Sequence, residues 1–297
     1  MRTTFFSTHC SIVAVFLLLS ACSGEKRENL MLRESPMWSQ FITAGHDSFM
    51  LGRYATAQTQ YRKAFDLAFL HDSAYGLEEA GYNLAVTQLT ENQPQKALET
   101  VQVTRKAVLL RENKPLPYLL LVEAAVYDRL GRYEKAEYLA QELLDVPNTE
   151  IAARAALILG VAADRRGDYF LLEKAVARLE RFKKPLSLTH LADLDELQAR
   201  SLRKNNPAQA IILADQSAKI RQKIGAYHDM LRALILEARI AETMGLQNKA
   251  RGLWMRAAQS ASVMLGKADT LSKLDTMNTA TLAQLALSVT ESTESEK

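Results

Sequence analysis

From Trp38 to about residue 265 the apolar positions recur at steps of three and four, and no stretch alternates with period two. That pattern predicts helices throughout and no sheet. The helices are punctuated at a regular interval. Leu51-Gly52-Arg53-Tyr54-Ala55-Thr56-Ala57 and Leu130-Gly131-Arg132-Tyr133-Glu134-Lys135-Ala136 share the pattern LGRYxxA, and Glu91-Asn92-Gln93-Pro94-Gln95-Lys96-Ala97 lies midway between them. Variants follow at Arg166-Gly167-Asp168-Tyr169, at Lys204-Asn205-Asn206-Pro207 and at Met244-Gly245-Leu246-Gln247. The turn residue therefore recurs at 52, 92, 131, 167, 205 and 245, spaced by 36 to 40 residues. Such a period marks stacked helix-turn-helix units.

Each signal has a physical role. Glycine or asparagine accepts the left-handed conformation that ends one helix and lets the next fold back. The aromatic residue or proline two positions on opens the second helix, and the alanine five positions on leaves room for close helix approach. Phe41, Ala44, Gly45, Tyr54, Ala57, Tyr61 and Ala64 in the first unit resemble the aromatic and small positions of tetratricopeptide repeats. Ala124, Gly131, Tyr133 and Ala136 do so in the third unit, and Ala238, Gly245, Ala250, Trp254 and Ala257 in the sixth. The fourth unit has Leu172 where alanine is expected, and the fifth has Gln198 at the small position. The resemblance implies an all-α, right-handed superhelical solenoid of about six repeats over residues 37–266. Because the period exceeds that family's usual length, the second helix of each unit is expected to be about one turn longer. Residues 267–290, with Leu271, Leu274, Leu282 and Leu285, read as a capping helix that covers the last apolar face. Residues 291–297 form a polar tail.

The amino terminus departs from this pattern. Arg2 precedes an apolar run, Ile12 to Leu19, that ends in Ser20-Ala21-Cys22. Eight residues reach about 12 Å as a helix, short of the roughly 20 residues that cross a bilayer. Residues 1–21 therefore read as an export signal. Leu19-Ser20-Ala21-Cys22 resembles the lipobox of bacterial lipoproteins. That resemblance implies cleavage between Ala21 and Cys22, and acylation of Cys22. Two or more acyl chains hold a protein firmly, at about 0.8 kcal/mol per buried CH₂. Residues 22–36 then form the lipidated terminus and a flexible tether. Ser23, in place of the aspartate that retains lipoproteins in the inner membrane, implies an outer-membrane anchor with a periplasm-facing body. The outer face of the cytoplasmic membrane is the alternative.

Composition narrows the function. Cys10 leaves with the signal and Cys22 is acylated, so the mature chain offers no disulfide and no cysteine metal site. Its mature charge of +2, with acidic and basic residues interspersed, excludes a dedicated nucleic-acid surface. His46, His71, His190 and His228 have no ligand spacing, and no nucleophile elbow or phosphate loop is present. No cofactor or metal is expected, and no enzymatic activity. Arg166-Gly167-Asp168 spells the cell-adhesion tripeptide, but each residue already has a place in a repeat turn. Asp128-Arg129 and Asp164-Arg165 recur at one repeat position. They read either as a charged ladder for a partner or, preferably, as ion pairs between units.

The remaining candidate is a groove. Tetratricopeptide domains that grip a peptide carboxylate use lysine, arginine and asparagine on successive first helices. Here those places hold Ile42, His46, Asn83, Tyr118 and Val122, of which only Asn83 matches. Instead Ile42, His46, Phe49, Tyr82, Asn83, Val86, Leu89, Tyr118 and Leu121 suggest an apolar, aromatic inner face over the first three units. Such a face suits an amphipathic helix or an extended apolar peptide. Packing of the same residues on neighbouring helices or on the tether is the alternative. The resemblance implies an envelope-anchored adaptor for other envelope proteins, of the kind found in pilus and secretion assembly, outer-membrane protein assembly or peptidoglycan machinery. A structural subunit of a stable complex, and a ligand-binding or enzymatic lipoprotein, are the other readings.

Overall fold

A computed structural model describes residues 35–182 and 187–290. Ala21, Cys22, the tether up to residue 34 and the tail from residue 291 lie outside the described residues. Six helix pairs follow one another. They are α1 (Pro36–Met50) with α2 (Tyr54–Leu70), α3 (Ala74–Thr90) with α4 (Pro94–Leu109), and α5 (Pro117–Arg129) with α6 (Tyr133–Glu142). Then come α7 (Thr149–Arg166) with α8 (Tyr169–Glu180), α9 (Leu188–Leu202) with α10 (Pro207–Lys223), and α11 (Tyr227–Thr243) with α12 (Gln247–Met264). A short 3-10 segment (Ala268–Thr276) and α13 (Thr279–Thr290) complete the chain. Among the described residues there is no strand, and no helix is long and apolar enough to cross a membrane.

Consecutive helices pack antiparallel in a row. The first helices of successive units also touch one another, from α3 through α5 and α7 to α9, and again from α11 to α13. The second helices show no comparable contact. The row therefore bends toward its first helices, which line the inner side of an all-helical solenoid. Its core is a succession of overlapping clusters, as expected when each unit buries its apolar face only against its neighbours.

The turns work as the glycines and asparagines require. Gly52, Asn92, Gly131, Gly167 and Gly245 all have positive φ. Each lets the residue that follows it donate its N–H to a carbonyl five residues back, as Arg53 does to Ser48 (2.8 Å) and Arg132 to Tyr127 (2.9 Å). Asp72, Gly225 and Gly266 repeat the same geometry between units, with Ser73 on Ala68, Ala226 on Arg221 and Lys267 on Ser262. In the RGD tripeptide Gly167 makes the turn, Asp168 caps α8 by accepting from Leu171 N (3.0 Å), and Arg166 pairs with Glu137 (2.7 Å).

Three expectations need correction. Asn205 is not left-handed. Instead Asn206 donates to Leu202 O (2.7 Å) and caps α10 through Gln209 N, and Ala199, not Gln198, is the fully buried small residue of the fifth unit. The second helices are not uniformly long: α6 has 10 residues and α8 has 12, against 16 to 18 in the others. Pro147 stands in the connection after α6, where the residue before a proline is kept out of helical conformation. Connecting chain makes up the period there. The carboxyl-terminal cap is also not one helix. A 3-10 segment whose only buried side chain is Leu274 precedes α13, and Asn278 Oδ1 accepts from Thr281 N (2.8 Å) to start the new helix.

Candidate protein-interaction surface

The aromatic face spans the inner sides of α1, α3 and α5. Ile42 and Phe49 are half-buried against Tyr61 and Leu84, and the Phe49 ring meets Tyr54 edge-on at 5.3 Å. Tyr82, Val86 and Leu89 rest on the core below while remaining partly exposed. The Tyr82 and Tyr118 rings meet across α3 and α5 at 6.1 Å, nearly perpendicular, the edge-to-face arrangement aromatic quadrupoles favour. Asn148 Nδ2 donates to the Tyr118 hydroxyl (2.9 Å), which ties this face to the next unit. His46 is half-buried among them.

Two of the nine expected groove residues are not on the surface. Leu121 is 7% exposed and joins the core between α6, α7 and α8. Asn83 is also 7% exposed, donates Nδ2 to Glu79 O (2.9 Å) and keeps its buried Oδ1 without a protein hydrogen bond. Asn83 lies one position around the helix from Tyr82, which stays partly exposed. The three- and four-residue periodicity alone does not resolve a rotation of that size.

From α7 onward a largely buried charge network links α7, α9, α10 and α11. Arg221, with a 1% exposed side chain, pairs with Asp193 (3.0 Å) and with Glu196. Arg200 bridges Glu196 (2.6 Å) and Asp164 (2.8 Å), and Arg232 bridges Glu196 (2.8 Å) and Asp229 (2.7 Å). Arg154 reaches Asp193 at 2.9 Å from α7. Burial alone would raise the Glu196 carboxyl, yet Arg221, Arg232 and Arg200 hold it well below the usual carboxylate range. The same balance depresses Asp229 through Arg232 and Arg154. These helix-borne charges resemble an ordinary solvated face in sequence. Only the fold brings them together across 25 to 36 residues. The Asp-Arg ladder resolves into pairing within the chain: Arg165 holds both oxygens of Asp128 at 2.9 Å, and Asp164 takes Arg200 and Arg203 at 2.8 Å each.

The bend brings the ends of the row toward each other. A cleft of about 1100 Å³ separates the turn edge of the first two units, at Tyr54 and Glu91, from Tyr227, His228, Met230, Val263 and Leu271. Burial, with Arg129 nearby, lowers the His228 pKa and keeps its imidazole neutral more readily than in water. His190 stacks on Phe182 at 5.9 Å and is likewise lowered by burial. Among the described residues, no group of three His, Cys, Asp or Glu side chains is placed to hold a metal ion.

No family model matches the chain, and no curated protein matches it. Solved structures do. One is the crystal structure of a tetratricopeptide repeat protein from Parabacteroides merdae, 16% identical over 84% of this chain and 99% of that one, with a TM-score of 0.47. Another is the TPR2AB domain of yeast Sti1 in its complex with pHSP90, 16% identical over 84% of this chain and 98% of that one, with a TM-score of 0.32. The architecture of the present chain rests on its own helix pairs and turns.

Proposed function

We propose that this chain is a tetratricopeptide-type adaptor of the bacterial envelope, which holds other envelope proteins and is tethered through acylated Cys22 to the outer membrane. The inner aromatic face of α1, α3 and α5 is its docking surface for an amphipathic helix or an extended apolar segment. The observation that carries this reading is the row of partly exposed apolar side chains on three adjacent first helices, bridged by the Tyr82–Tyr118 contact. Stacked units present an extended inner surface of this kind for binding, and function lies in such surface sites rather than in the fold itself.

Affinity capture of the full-length lipoprotein tests the surface. A partner retained by the wild type and lost from an Ile42→Ala/Tyr82→Ala/Tyr118→Ala variant supports it, and equal retention by both overturns it. Fractionation of a Cys22→Ser variant tests the anchor. Its release from the membrane fraction is expected, and continued membrane association overturns the lipobox reading.

A further inference from the structure

The segment TATLAQLALSVT of α13 carries no charged residue. Leu282, Ala286 and Val289, at steps of four and three, are at most 1% exposed. Thr290 is buried as well, at 7% exposure. Two arginines from the middle of the row hold this helix. Arg129 on α5 donates Nη1 to Val289 O (2.6 Å), and Arg165 on α7 donates Nη2 to Thr290 O (3.3 Å), across 160 and 125 residues of sequence.

These carbonyls lie in the last described turn of α13, and a backbone carbonyl has two lone pairs with which to accept a side-chain donor. The arginines are themselves prepositioned: Asp128 clamps Arg165 with both carboxylate oxygens, and Asn92 Oδ1 accepts from Arg129 at 3.2 Å. What they contact is helix backbone, with no side-chain identity required. The strap from Gly266 to Asn278 that connects α13 to α12 is largely exposed, with Leu274 its one fully buried side chain.

We propose that Arg129 and Arg165, with the apolar floor on α11 and α12, form a receptor for an uncharged apolar helix. In this chain α13 occupies it in cis, and a partner helix of the same chemistry takes its place. The proposal is independent of the Cys22 anchor and of the aromatic face. A guest on a short strap has an effective concentration in the millimolar range, so the closed chain resists weak competitors and yields to a tight one.

The test uses the full-length chain and a fluorescent, amidated peptide of residues 278–290, read by anisotropy. Leu282→Asp/Val289→Asp places charges in the buried face of α13 and leaves the receptor intact. This variant is expected to bind the peptide about tenfold or more tighter than the wild type, whose site is filled. Adding Arg129→Ala/Arg165→Ala is expected to weaken that binding about tenfold, near 1.4 kcal/mol. Three results overturn the proposal. The folded Leu282→Asp/Val289→Asp variant ignores the peptide. The peptide binds equally with and without the arginines. The two aspartates abolish the cooperative melting of the whole row, which would make α13 a fixed part of the core.

Discussion

Gly45 on α1 lies directly against the ring of Tyr61 on α2, so close that a Cβ at position 45 would stand 2.7 Å from Cδ1 and Cε1 of the ring. Tyr61 is 1% exposed and has no room to retreat. Gly45→Ala is therefore expected to destabilise the first unit by about 1–3 kcal/mol through overpacking. Gly252, in the interior of α12, has no heavy atom within 4 Å of the equivalent Cβ position. Gly252→Ala is expected to stabilise by up to about 1 kcal/mol, the ordinary helix-propensity difference. Urea titrations of the two variants check both signs at once.

The buried charge network predicts an asymmetric response to mutation. Arg221→Met removes the cation while Asp193 and Glu196 stay buried, with 1% and 0% exposed side chains. The expected loss is about 3–5 kcal/mol, the cost of stranding buried carboxylates. The Lys219–Asp215 pair is as short, at 2.6 Å, but its lysine is 68% exposed. Lys219→Met should change stability by less than about 0.5 kcal/mol. Thermal melts of the two variants compare them directly.

Asp195 on α9 supplies a pH signature. Burial raises its carboxyl from 3.8 to about 6, against the pull of Arg221. Such a group takes a proton more readily in the folded chain, so its ionisation opposes folding above pH 6. That opposition fades as the pH falls through 6 and is absent below the unfolded value. Glu196 and Asp229 act in the opposite sense: their pKa values are depressed, so their stabilising contribution is present above the unfolded value and is lost in acid. His190 and His228, whose pKa values burial lowers, lose stability as the pH falls below the unfolded histidine value, so the Asp195 contribution is read as a difference between wild type and variant. Asp195→Asn should melt higher than the wild type at pH 8 by about 2–4 °C, a figure limited by solvent screening of this half-buried group, and that difference should shrink as the pH falls through 6.

The turns explain which parts of the fold were legible in the sequence. Gly52, Asn92, Gly131, Gly167 and Gly245 announce themselves because few other residues accept a positive φ. Asp72 adopts the same conformation, but aspartate is too common on helix surfaces to mark a turn. Gly225 and Gly266 stand 20 and 21 residues from Gly245, and that half-period was the available signal for the turns between units. Asn205 misled for the opposite reason, since the neighbouring Asn206 and Pro207 allow a turn that needs no left-handed residue. At the candidate surface, helical spacing put Tyr82 and Tyr118 on one face. It could not separate Tyr82 from Asn83, or show that Leu121 turns into the core. The Arg221 network and the contacts of Arg129 and Arg165 with the last helix were out of reach, because those partners lie between 25 and 160 residues away.

Site-specific photocrosslinking from the aromatic face tests the adaptor reading most directly. A photoreactive residue at Tyr82 is compared with one at Tyr138, which is 63% exposed on α6 of the outer row. In intact cells carrying the full-length lipoprotein, a discrete adduct with one envelope protein is expected from position 82 and none from position 138. The same adduct from both positions, or one from position 138 alone, would contradict the account.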